Sequence, residues 1–340
     1  MICCCGAIVQ DCFLHAEPAD KGTLSEVEQL RYSTGGAPSN VGRALGKLGI
    51  AVEAVGCVGA DPAGRWIVDE LRAAGVATGG VQVVGDGTSG ISMILVAPDG
   101  ERTVYCYPGV NDRFDADDIE PSPDWQICHV GYPSLMPRCR GDRLARLFER
   151  LRRQGIVTSL DTTWSMAEVP LDDVEAALPH TDILTPNLGE AEQLAGVAPG
   201  SGQVEEIAQF LLERGVGTVV ITRGPDGVYL ATGAGSARGR SAPTGVALPP
   251  PGLSIHVPAY ETREILNTTG AGDTFGAGFL AGLTRSVDPE VALRVGALAA
   301  ALHIEGSSVP AFDEVVKMIR GRRTTKSRTG FAAGSPRQMG

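Results

Sequence analysis

The chain has 340 residues, of which 43% are apolar and 20% charged, and its formal net charge is −11. This length and composition allow a substantial core, in one large α/β domain or two smaller ones. The negative charge argues against general nucleic-acid binding, because a phosphate backbone would be repelled. We therefore expect a small-molecule ligand and no nucleic-acid partner.

The start of the chain and its cysteines indicate the compartment. The first residues, MICCCGAIVQ, contain no basic leader and run directly into a predicted strand. The longest candidate apolar run, Ala297 to Ile304, is too short to span a bilayer. The eight cysteines include no C-x-x-C pair and are interpreted as reduced thiols. The sequence predicts a soluble cytoplasmic protein with no membrane partner.

Strands and helices alternate along the chain. Apolar runs that end in glycine or an acid are ICCCGAIV, VEAVGCVG, WQICHVG, GIVTSLD, TDILTPN and TVVITRG. Helical patterns cover Ser39–Leu48, Ala63–Ala74, Asp142–Gln154 and Val204–Arg214. This alternation predicts a mostly parallel sheet covered on both faces, a Rossmann-like three-layer α/β/α sandwich. The carboxyl ends of its strands, where active sites collect, are expected to hold Asp11, Asp161, Asn187 and Gly224.

Two stretches interrupt the alternation. Residues 12–33 are polar and irregular, and residues 88–109 contain an alternating strand, a Pro-Asp-Gly turn and a second strand. We expect them to form a small β lid over the site of a single domain that spans residues 1–320. Residues 231–254, rich in Gly, Ser, Pro and Arg, are interpreted as a surface excursion. Residues 321–340 are predicted to be a basic, disordered tail.

The segment NTTGAGDTFGAGFL, Asn267 to Leu280, places four glycines and one acid where a helix is expected to begin. Glycine inside a helix costs roughly 1 kcal/mol relative to alanine. One explanation is that the backbone N–H groups of Gly270 to Asp273 wrap a phosphate at the positive end of the helix. The other is that small residues, including Gly276 and Gly278, pack closely on the sheet. The segment alone favours neither.

Three further motifs contain polar or glycine-rich helix starts and turns. STGGAPSNVGRALGKLG contains the paired glycines Gly35 and Gly36, which let a ligand approach the backbone, and Ser39 or Asn40 as a helix cap. TPNLGEAEQL places Asn187 and Glu190 three residues apart at a helix start, which is an ordinary capping arrangement. ITRGPDGVYL predicts a strand, a glycine turn and a strand, either a simple hairpin or a nucleotide-holding edge.

Two apparent motifs are excluded by their spacing. GRALGKLG has too few residues between its glycines for a Walker A loop, and Leu48 stands where a Ser or Thr is needed. GAGDTFG has Phe275 in the place of the third glycine of a dinucleotide fold. The sequence therefore argues against a P-loop and against a nicotinamide-linked dehydrogenase.

In their order and spacing, five motifs resemble those of the ribokinase-like (PfkB) carbohydrate kinases over about residues 1–315. They are GGAPSNVGRALGKLG, VGCVGADPAGRWIVDELRAAGV, TPNLGEAEQL, ITRGPDGVYL and NTTGAGDTFGAGFLAGL, of which the last is the most specific. The resemblance implies a ribokinase-like fold with a β lid, ATP and Mg²⁺ as cofactors, and transfer of the γ-phosphoryl of ATP to a sugar hydroxyl.

The resemblance also assigns site residues. Asp273 matches the catalytic base, and Gly270, Ala271 and Gly272 match the anion hole. Positions on the nucleotide and magnesium side are Asn187, Glu190, Thr222, Gly224 and Gly227. Positions that bind the acceptor hydroxyls are Asp11, Gly35, Gly36 and Asn40. A site for a monovalent cation, K⁺, is implied near Asn267, Thr269, Gly306 and Ser308.

The chain departs from the family pattern at two places. Asn267 replaces the first Asp of the signature, so the K⁺ site has a carbonyl oxygen but no charge there. Thr163 and Ser165 replace the Asn and Arg that many sugar kinases have after the Asp161 strand. Two alternatives stay open: a nucleoside kinase of the same fold, and a regulatory protein that binds a sugar without turnover.

Three smaller expectations follow. No aromatic platform is evident in the first 60 residues, which favours a sugar over a nucleoside. Arg102 and Tyr105, on the predicted lid hairpin, are expected to face solvent and not the substrate. An exposed apolar lid face predicts a homodimer, since lids of this family often pair.

Overall fold

The structure is a computed structural model that describes residues 1–162, 171–200, 203–233 and 245–325. The strands are β1 (Ile2–Gly6), β2 (Val9–His15), β3 (Gln29–Gly35), β4 (Val52–Gly59), β5 (Ala77–Val84), β6 (Gly90–Val96), β7 (Arg102–Tyr107), β8 (Ile127–Gly131), β9 (Val157–Asp161), β10 (Ile183–Leu184), β11 (Thr218–Thr222), β12 (Val228–Thr232) and β13 (Ser254–Val257). The helices are α1 (Ala37–Lys47), α2 (Pro62–Ala73), α3 (Gly141–Arg153), α4 (Leu188–Ala195), α5 (Val204–Glu213), α6 (Ala271–Thr284), α7 (Pro289–Ile304) and α8 (Phe312–Ile319).

Nine strands form one large sheet in the order β13-β12-β11-β10-β9-β8-β1-β4-β5. All neighbours from β11 to β5 pair in parallel, and β12 runs antiparallel to both of its neighbours, β11 and β13. The six predicted apolar runs correspond to β1, β4, β8, β9, β10 and β11. The mostly parallel sheet is therefore confirmed, and the predicted strand-turn-strand of ITRGPDGVYL is the β11–β12 hairpin.

Helices cover both faces of the large sheet. Side chains of β1 alternate between two separate cores: Ile2 and Cys4 pack into one, Cys3 and Cys5 into the other. Helices α1, α2, α6, α7 and α8 contribute to the first core, and α3, α4 and α5 to the second. Such burial on both faces explains why the strands are continuous apolar runs. The three-layer α/β/α sandwich is confirmed.

The remaining strands form a small four-stranded sheet in the order β3-β2-β6-β7. Asp11 of β2 pairs with Ser33 on β3 and with Ser92 on β6. Because side chains alternate along a strand, Asp11, Phe13 and their partners share one face, which we call the inner face. The opposite, outer face carries the row Tyr32, Cys12, Met93 and Tyr105.

Some predictions concern residues that the structure does not describe. Of the excursion at 231–254, residues 234–244 lie outside the described residues, and so do Thr163 and Ser165. Of the predicted tail, 326–340 lie outside them, whereas Thr324 bridges to Tyr260. Among the helices that are described, none combines the length and apolarity that crossing a membrane requires.

Candidate active site

Helix α6 begins behind Gly270, whose φ of 79° lies in the left-handed region that glycine adopts without strain. A methyl group at Gly272 would meet no atom within 4 Å, whereas one at Gly278 would lie 2.7 Å from the Cα of Gly296 on α7. The close-packing explanation therefore holds for Gly278, which packs on α7 and not on the sheet, but not for Gly276, where a methyl group would meet no atom within 4 Å. Gly278 allows close helix packing, and Gly272 leaves open space in front of the helix.

Asp273 lies in the first turn of α6 and is only 3% exposed. Its Oδ2 atom accepts hydrogen bonds from the hydroxyl of Tyr132, at 2.6 Å, and from the amide of Asn40, at 2.9 Å. Its buried Oδ1 atom has no hydrogen-bond partner in the described part of the chain. Burial raises the pKa of Asp273, and the two hydrogen bonds oppose that effect.

Tyr132 is a site residue that the sequence reasoning missed. It directly follows the strand β8 and has a φ of 64°, which is uncommon for a residue other than glycine and costs free energy. Burial and the nearby charges of Asp273 and Asp161 raise its pKa, so the phenol stays protonated and donates. The rule that sites collect at strand ends could have identified it, since HVGYP ends a predicted strand.

Three carboxyl groups line one cavity of about 160 Å³ at the carboxyl ends of the strands, which we call the carboxylate cavity. Asp273 comes from α6, Asp161 from the end of β9, and Glu190 from the first turn of α4. Burial, followed by the charges of Glu190 and Asp273, raises the pKa of Asp161 well above its usual range. Such mutual repulsion makes this cavity favourable for a cation.

Asn187 and Glu190 form a capping box at the start of α4. The Asn187 side chain accepts from the backbone N–H of Glu190 at 2.9 Å, and Glu190 Oε2 accepts from the N–H of Asn187 at 3.0 Å. Glu190 Oε2 also accepts from the hydroxyl of Thr162. The capping interpretation is confirmed. Across the described ranges, no group of three or more His, Cys, Asp or Glu side chains is arranged to hold a metal ion.

Thr222, Gly224 and Gly227 line a separate cavity of about 90 Å³ together with the apolar face of α7. Gly227 has a φ of 85°, and a methyl group there would lie 2.1 Å from the carbonyl oxygen of Val257. Thr222 also lines the carboxylate cavity. The two spaces are therefore adjacent.

The largest of these spaces, the acceptor cavity, has a volume of about 340 Å³ and lies between α1, the small sheet and the start of α6. Asp11, Asn40 and Gly270 are among its lining residues. A methyl group at Gly35 would lie 2.3 Å from a carboxylate oxygen of Asp11. At Gly36, with φ 85°, it would lie 1.9 Å from the carbonyl oxygen of Ala7. The paired glycines thus make room for the Asp11 carboxylate and for a tight backbone approach.

The pKa of Asp11 is raised to about 6. Burial is the main cause, a hydrogen bond from Ser92 opposes it, and the charge of Asp273 adds to it. Asp11 is therefore a carboxylate that changes its protonation just below neutral pH.

The loop before α6 is contacted by the small sheet. Asn267 Oδ1 accepts from the N–H of Thr269 at 3.0 Å and from Arg102 Nη2 at 3.3 Å, and Arg102 also contacts the Thr269 hydroxyl. The expectation that Arg102 faces solvent was wrong, because its long side chain reaches across from the start of β7. Tyr105 is exposed, as expected.

The other predicted K⁺ positions lie nearby. Gly306 and Ser308 are exposed, and Gly306 lies against the side chain of Leu266. His303, at the end of α7, donates through Nε2 to the carbonyl oxygen of Thr269 at 2.7 Å. Sequence reasoning did not identify His303, because nothing in the local pattern marks a histidine within an apolar helix.

Known proteins resemble most of the chain. Residues 1–312 match the family described as pfkB family carbohydrate kinase. An uncharacterized sugar kinase of Archaeoglobus fulgidus is 30% identical over 263 residues, 77% of this chain and 94% of that protein. An ATP-dependent ribose-1-phosphate kinase of Halopiger xanaduensis is 28% identical, over 88% of this chain and 90% of that one.

Solved structures share the fold. The structure of Arabidopsis thaliana ribokinase complexed with ribose and ATP matches with a TM-score of 0.77 at 22% identity. The match covers 94% of this chain and 98% of that one. Taken with the family match over residues 1–312, these similarities show that the chain belongs to the pfkB family of carbohydrate kinases.

Proposed function

We propose that this carbohydrate kinase transfers the γ-phosphoryl group of ATP to a sugar hydroxyl, with Asp273 as the general base. The observation that carries the proposal is the buried Oδ1 atom of Asp273, which has no partner in the described residues. It lies at the start of α6, where Gly270 lines both the acceptor cavity and the carboxylate cavity.

The environment of Asp273 suits proton transfer. Burial raises its pKa, which makes the carboxylate a better base near neutral pH. Tyr132 and Asn40 hold Oδ2, so Oδ1 is the atom that accepts the proton of the acceptor hydroxyl. As the proton leaves, the hydroxyl oxygen bonds to the γ-phosphorus, and the bond from that phosphorus to the oxygen of the departing ADP breaks.

The start of α6 supplies the anion hole. The resemblance assigns Ala271 to the anion hole, but its N–H is directed to the carbonyl oxygen of Thr268 at 3.3 Å. In this proposal Gly270 and Gly272, together with Asp273, provide the N–H groups that face the phosphoryl. The open space beside Gly272 is where the phosphoryl group fits.

The residues of the carboxylate cavity fit a magnesium ion. Asp161 and Glu190 lie in one small buried space, where their like charges repel one another. A divalent cation bound there would remove that repulsion. Magnesium keeps several waters of hydration. Asn187 and Glu190, which form the capping box, would hold the ion through those waters. When bound, Mg²⁺ neutralises the charge of the ATP phosphates.

A potassium ion fits poorly at Asn267, in the loop before α6. Asn267 Oδ1 already accepts from Thr269 and from the cationic Arg102, and it carries no charge of its own. A K⁺ ion at this oxygen would have to displace the Arg102 guanidinium. We therefore assign no step to K⁺ and propose that Arg102 supplies the positive charge there.

The small sheet acts as a lid in this proposal. Asp11, on the inner face of this sheet, lines the acceptor cavity. Arg102, on the same sheet, donates a hydrogen bond to Asn267 in the loop before α6. A closed lid excludes water, which would otherwise accept the phosphoryl group.

A nucleoside remains the second candidate acceptor, on one observation. The sequence shows no evident aromatic platform in its first 60 residues, but Phe13 lines the acceptor cavity. A base could stack on this ring, although the guanidinium of Arg31 already lies 4.9 Å from its centroid.

Two further proposals concern the whole protein. We propose a homodimer formed through the outer face of the small sheet, where Tyr32, Met93 and Tyr105 are exposed in one row. We also propose a cytoplasmic location, which is supported by eight free cysteines. Two of them, Cys128 and Cys3, are joined by a hydrogen bond of 3.7 Å between their sulfurs and not by a disulfide.

The test is ADP release from ATP and Mg²⁺ across a panel of pentoses, ketohexoses, sugar acids, sugar phosphates and nucleosides. Asp273→Asn should lose at least about 10²-fold in kcat on the best acceptor. The matched control is Asp69→Asn, which makes the same chemical change at an exposed acid on α2 and should keep activity.

Each outcome decides between the candidates. Turnover of a sugar that Asp273→Asn abolishes supports the proposal, and turnover of nucleosides alone favours the second candidate. A sugar that raises the melting temperature but is never phosphorylated would favour a regulatory protein that only binds. Unchanged kcat in Asp273→Asn would refute the assigned base.

A further inference from the structure

Three cationic side chains line the acceptor cavity. Arg31 lies on β3, and Arg43 and Lys47 lie on α1. Within the described ranges, Asp11 is the only acidic side chain among the lining residues. The charge around this cavity is therefore opposite in sign to the net charge of −11 of the chain. A local field of this sign attracts anions.

These cations are not neutralised by protein carboxylates. None of the three belongs to an ion pair in the described part of the chain. Arg31 covers the ring of Phe13, and Arg43 donates to the hydroxyl of Thr34 at 3.1 Å. Partial desolvation and the charge of Arg43 lower the pKa of Lys47, four residues further along the same helix. An anion between Arg43 and Lys47 would remove the repulsion between their positive charges.

The cations on α1 are aligned with the catalytic base. Asn40, Arg43 and Lys47 are spaced i, i+3 and i+7, which puts them on one face of the helix. Asn40, at one end of this row, donates to Asp273. At about 1.5 Å of rise per residue, Arg43 lies about 5 Å and Lys47 about 10 Å beyond it.

We propose that the acceptor is an anionic sugar whose phosphate or carboxylate group lies at the end remote from the reacting hydroxyl. Arg43 and Lys47 bind the anionic group, and Arg31 approaches it from the small sheet. Guanidinium groups recognise both phosphate and carboxylate through paired hydrogen bonds. Asp11 and Asn40 bind hydroxyls between the anionic group and Asp273. The inference rests on the proposed function, since it assigns a substrate class to the same site.

The phosphates of ATP do not account for these cations. The nucleotide-side residues Thr222, Gly224 and Gly227 line a different cavity, which shares no lining residue with the acceptor cavity. Lys47 lies at the far end of α1 from Asn40 and Asp273. The cations therefore face the part of the acceptor that does not react.

The kinetic test compares kcat/KM for matched acceptors: ribose with ribose 1-phosphate, fructose with fructose 6-phosphate, and glucose with gluconate. The variants are the double change Arg43→Gln with Lys47→Gln, the charge-preserving Arg43→Lys, and Arg65→Gln as a control. Arg65 is an exposed cation on the neighbouring helix α2, away from the cavity.

We expect the wild type to prefer one anionic acceptor over its neutral counterpart by at least about tenfold. The double variant should lose about 10- to 100-fold on the anionic acceptor, as expected for charge-assisted hydrogen bonds, and change little on the neutral one. Arg43→Lys should retain part of the preference, and Arg65→Gln all of it. Comparing the phosphorylated with the carboxylated acceptors identifies which anionic group is bound.

A binding measurement separates this inference from the proposed function. Titration calorimetry without ATP measures the affinity of wild type and double variant for the same acceptors. If an anionic sugar binds wild type and not the double variant but is never phosphorylated, the anion site formed by Arg43 and Lys47 stands, and the kinase proposal fails for that sugar. If neutral sugars are phosphorylated as well as anionic ones, and the double variant is unaffected, the kinase proposal stands and this inference is overturned.

Discussion

The phenol of Tyr132 donates a hydrogen bond of 2.6 Å to Oδ2 of Asp273. Tyr132 comes from the end of β8 and Asp273 from the start of α6, so the contact joins the large sheet to the helix that carries the proposed base. Because the donor is protonated and buried, it stabilises the carboxylate and leaves Oδ1 for the acceptor. Tyr132 therefore positions the base and limits the rise of its pKa.

Tyr132→Phe should raise the pKa of Asp273, because a hydrogen bond that favours the charged form is lost while burial remains. The acid limb of the pH profile of kcat should move to higher pH, and kcat at neutral pH should fall about tenfold, one donor's typical contribution. Tyr229→Phe, which removes a phenol bonded to Ser254 at the sheet edge, is the control. An unshifted acid limb would show that Tyr132 has only a structural role.

Acceptor binding should weaken as the pH falls below about 6. As a carboxylate Asp11 can accept hydrogen bonds from two neighbouring hydroxyls, whereas protonation turns one of its oxygens into a donor, and its pKa is raised to about 6. The KM for the acceptor should therefore increase through this range, whereas the KM for ATP should not. A KM for the acceptor that stays constant down to pH 5 would contradict the role of Asp11.

The raised pKa of Asp11 also predicts that replacing this residue stabilises the folded protein. Asp11 binds its proton more tightly in the folded state than at its usual pKa of 3.8, so its contribution to the free energy of unfolding decreases as pH rises from about 4 to about 6. Asp11→Asn removes this penalty. At pH 7 it should raise the free energy of unfolding by on the order of 2 kcal/mol while abolishing acceptor binding. Denaturant unfolding at pH 4 and pH 7 measures the difference.

Gly272→Ala and Gly276→Ala form a matched pair on α6. At both positions a methyl group would meet no atom within 4 Å, so neither variant should lose stability. Gly272 lines the carboxylate cavity, where its methyl group would occupy the space of the phosphoryl group. We expect Gly272→Ala to lose most of its kcat and Gly276→Ala to stay active. Equal activities would refute the placement of the phosphoryl group beside Gly272.

The sequence predicted the scaffold better than the wall of the acceptor cavity. Apolar runs and the signature at Asn267 to Leu280 placed the strands, the start of α6 and Asp273, because local patterns determine them. Tyr132 and Arg43 were missed because their importance depends on which elements the fold brings together. Arg102 was assigned to solvent because strand alternation does not describe the reach of a long side chain. The paired glycines predicted close approach, but only the structure shows that Gly35 makes room for Asp11.

Potassium should have little effect on the wild-type enzyme. The guanidinium of Arg102 lies where a cation would bind Asn267, so exchanging K⁺ for a larger organic cation should change kcat less than about twofold. Arg102→Ala frees this oxygen and should introduce a measurable K⁺ activation. Strong K⁺ activation of the wild type would show that Arg102 leaves the loop during turnover.

The outer face of the small sheet should hold two copies together. Tyr105 is 60% exposed there, in one row with Tyr32 and Met93, and apolar side chains in such a row favour burial against a second copy. Tyr105→Lys should therefore shift sedimentation from dimer to monomer, because it places a charge within that contact. Val83→Lys, at an exposed apolar residue on the edge strand β5 of the large sheet, should remain dimeric. A monomeric wild type, or a dimer that only Val83→Lys disrupts, would exclude the outer face as the interface.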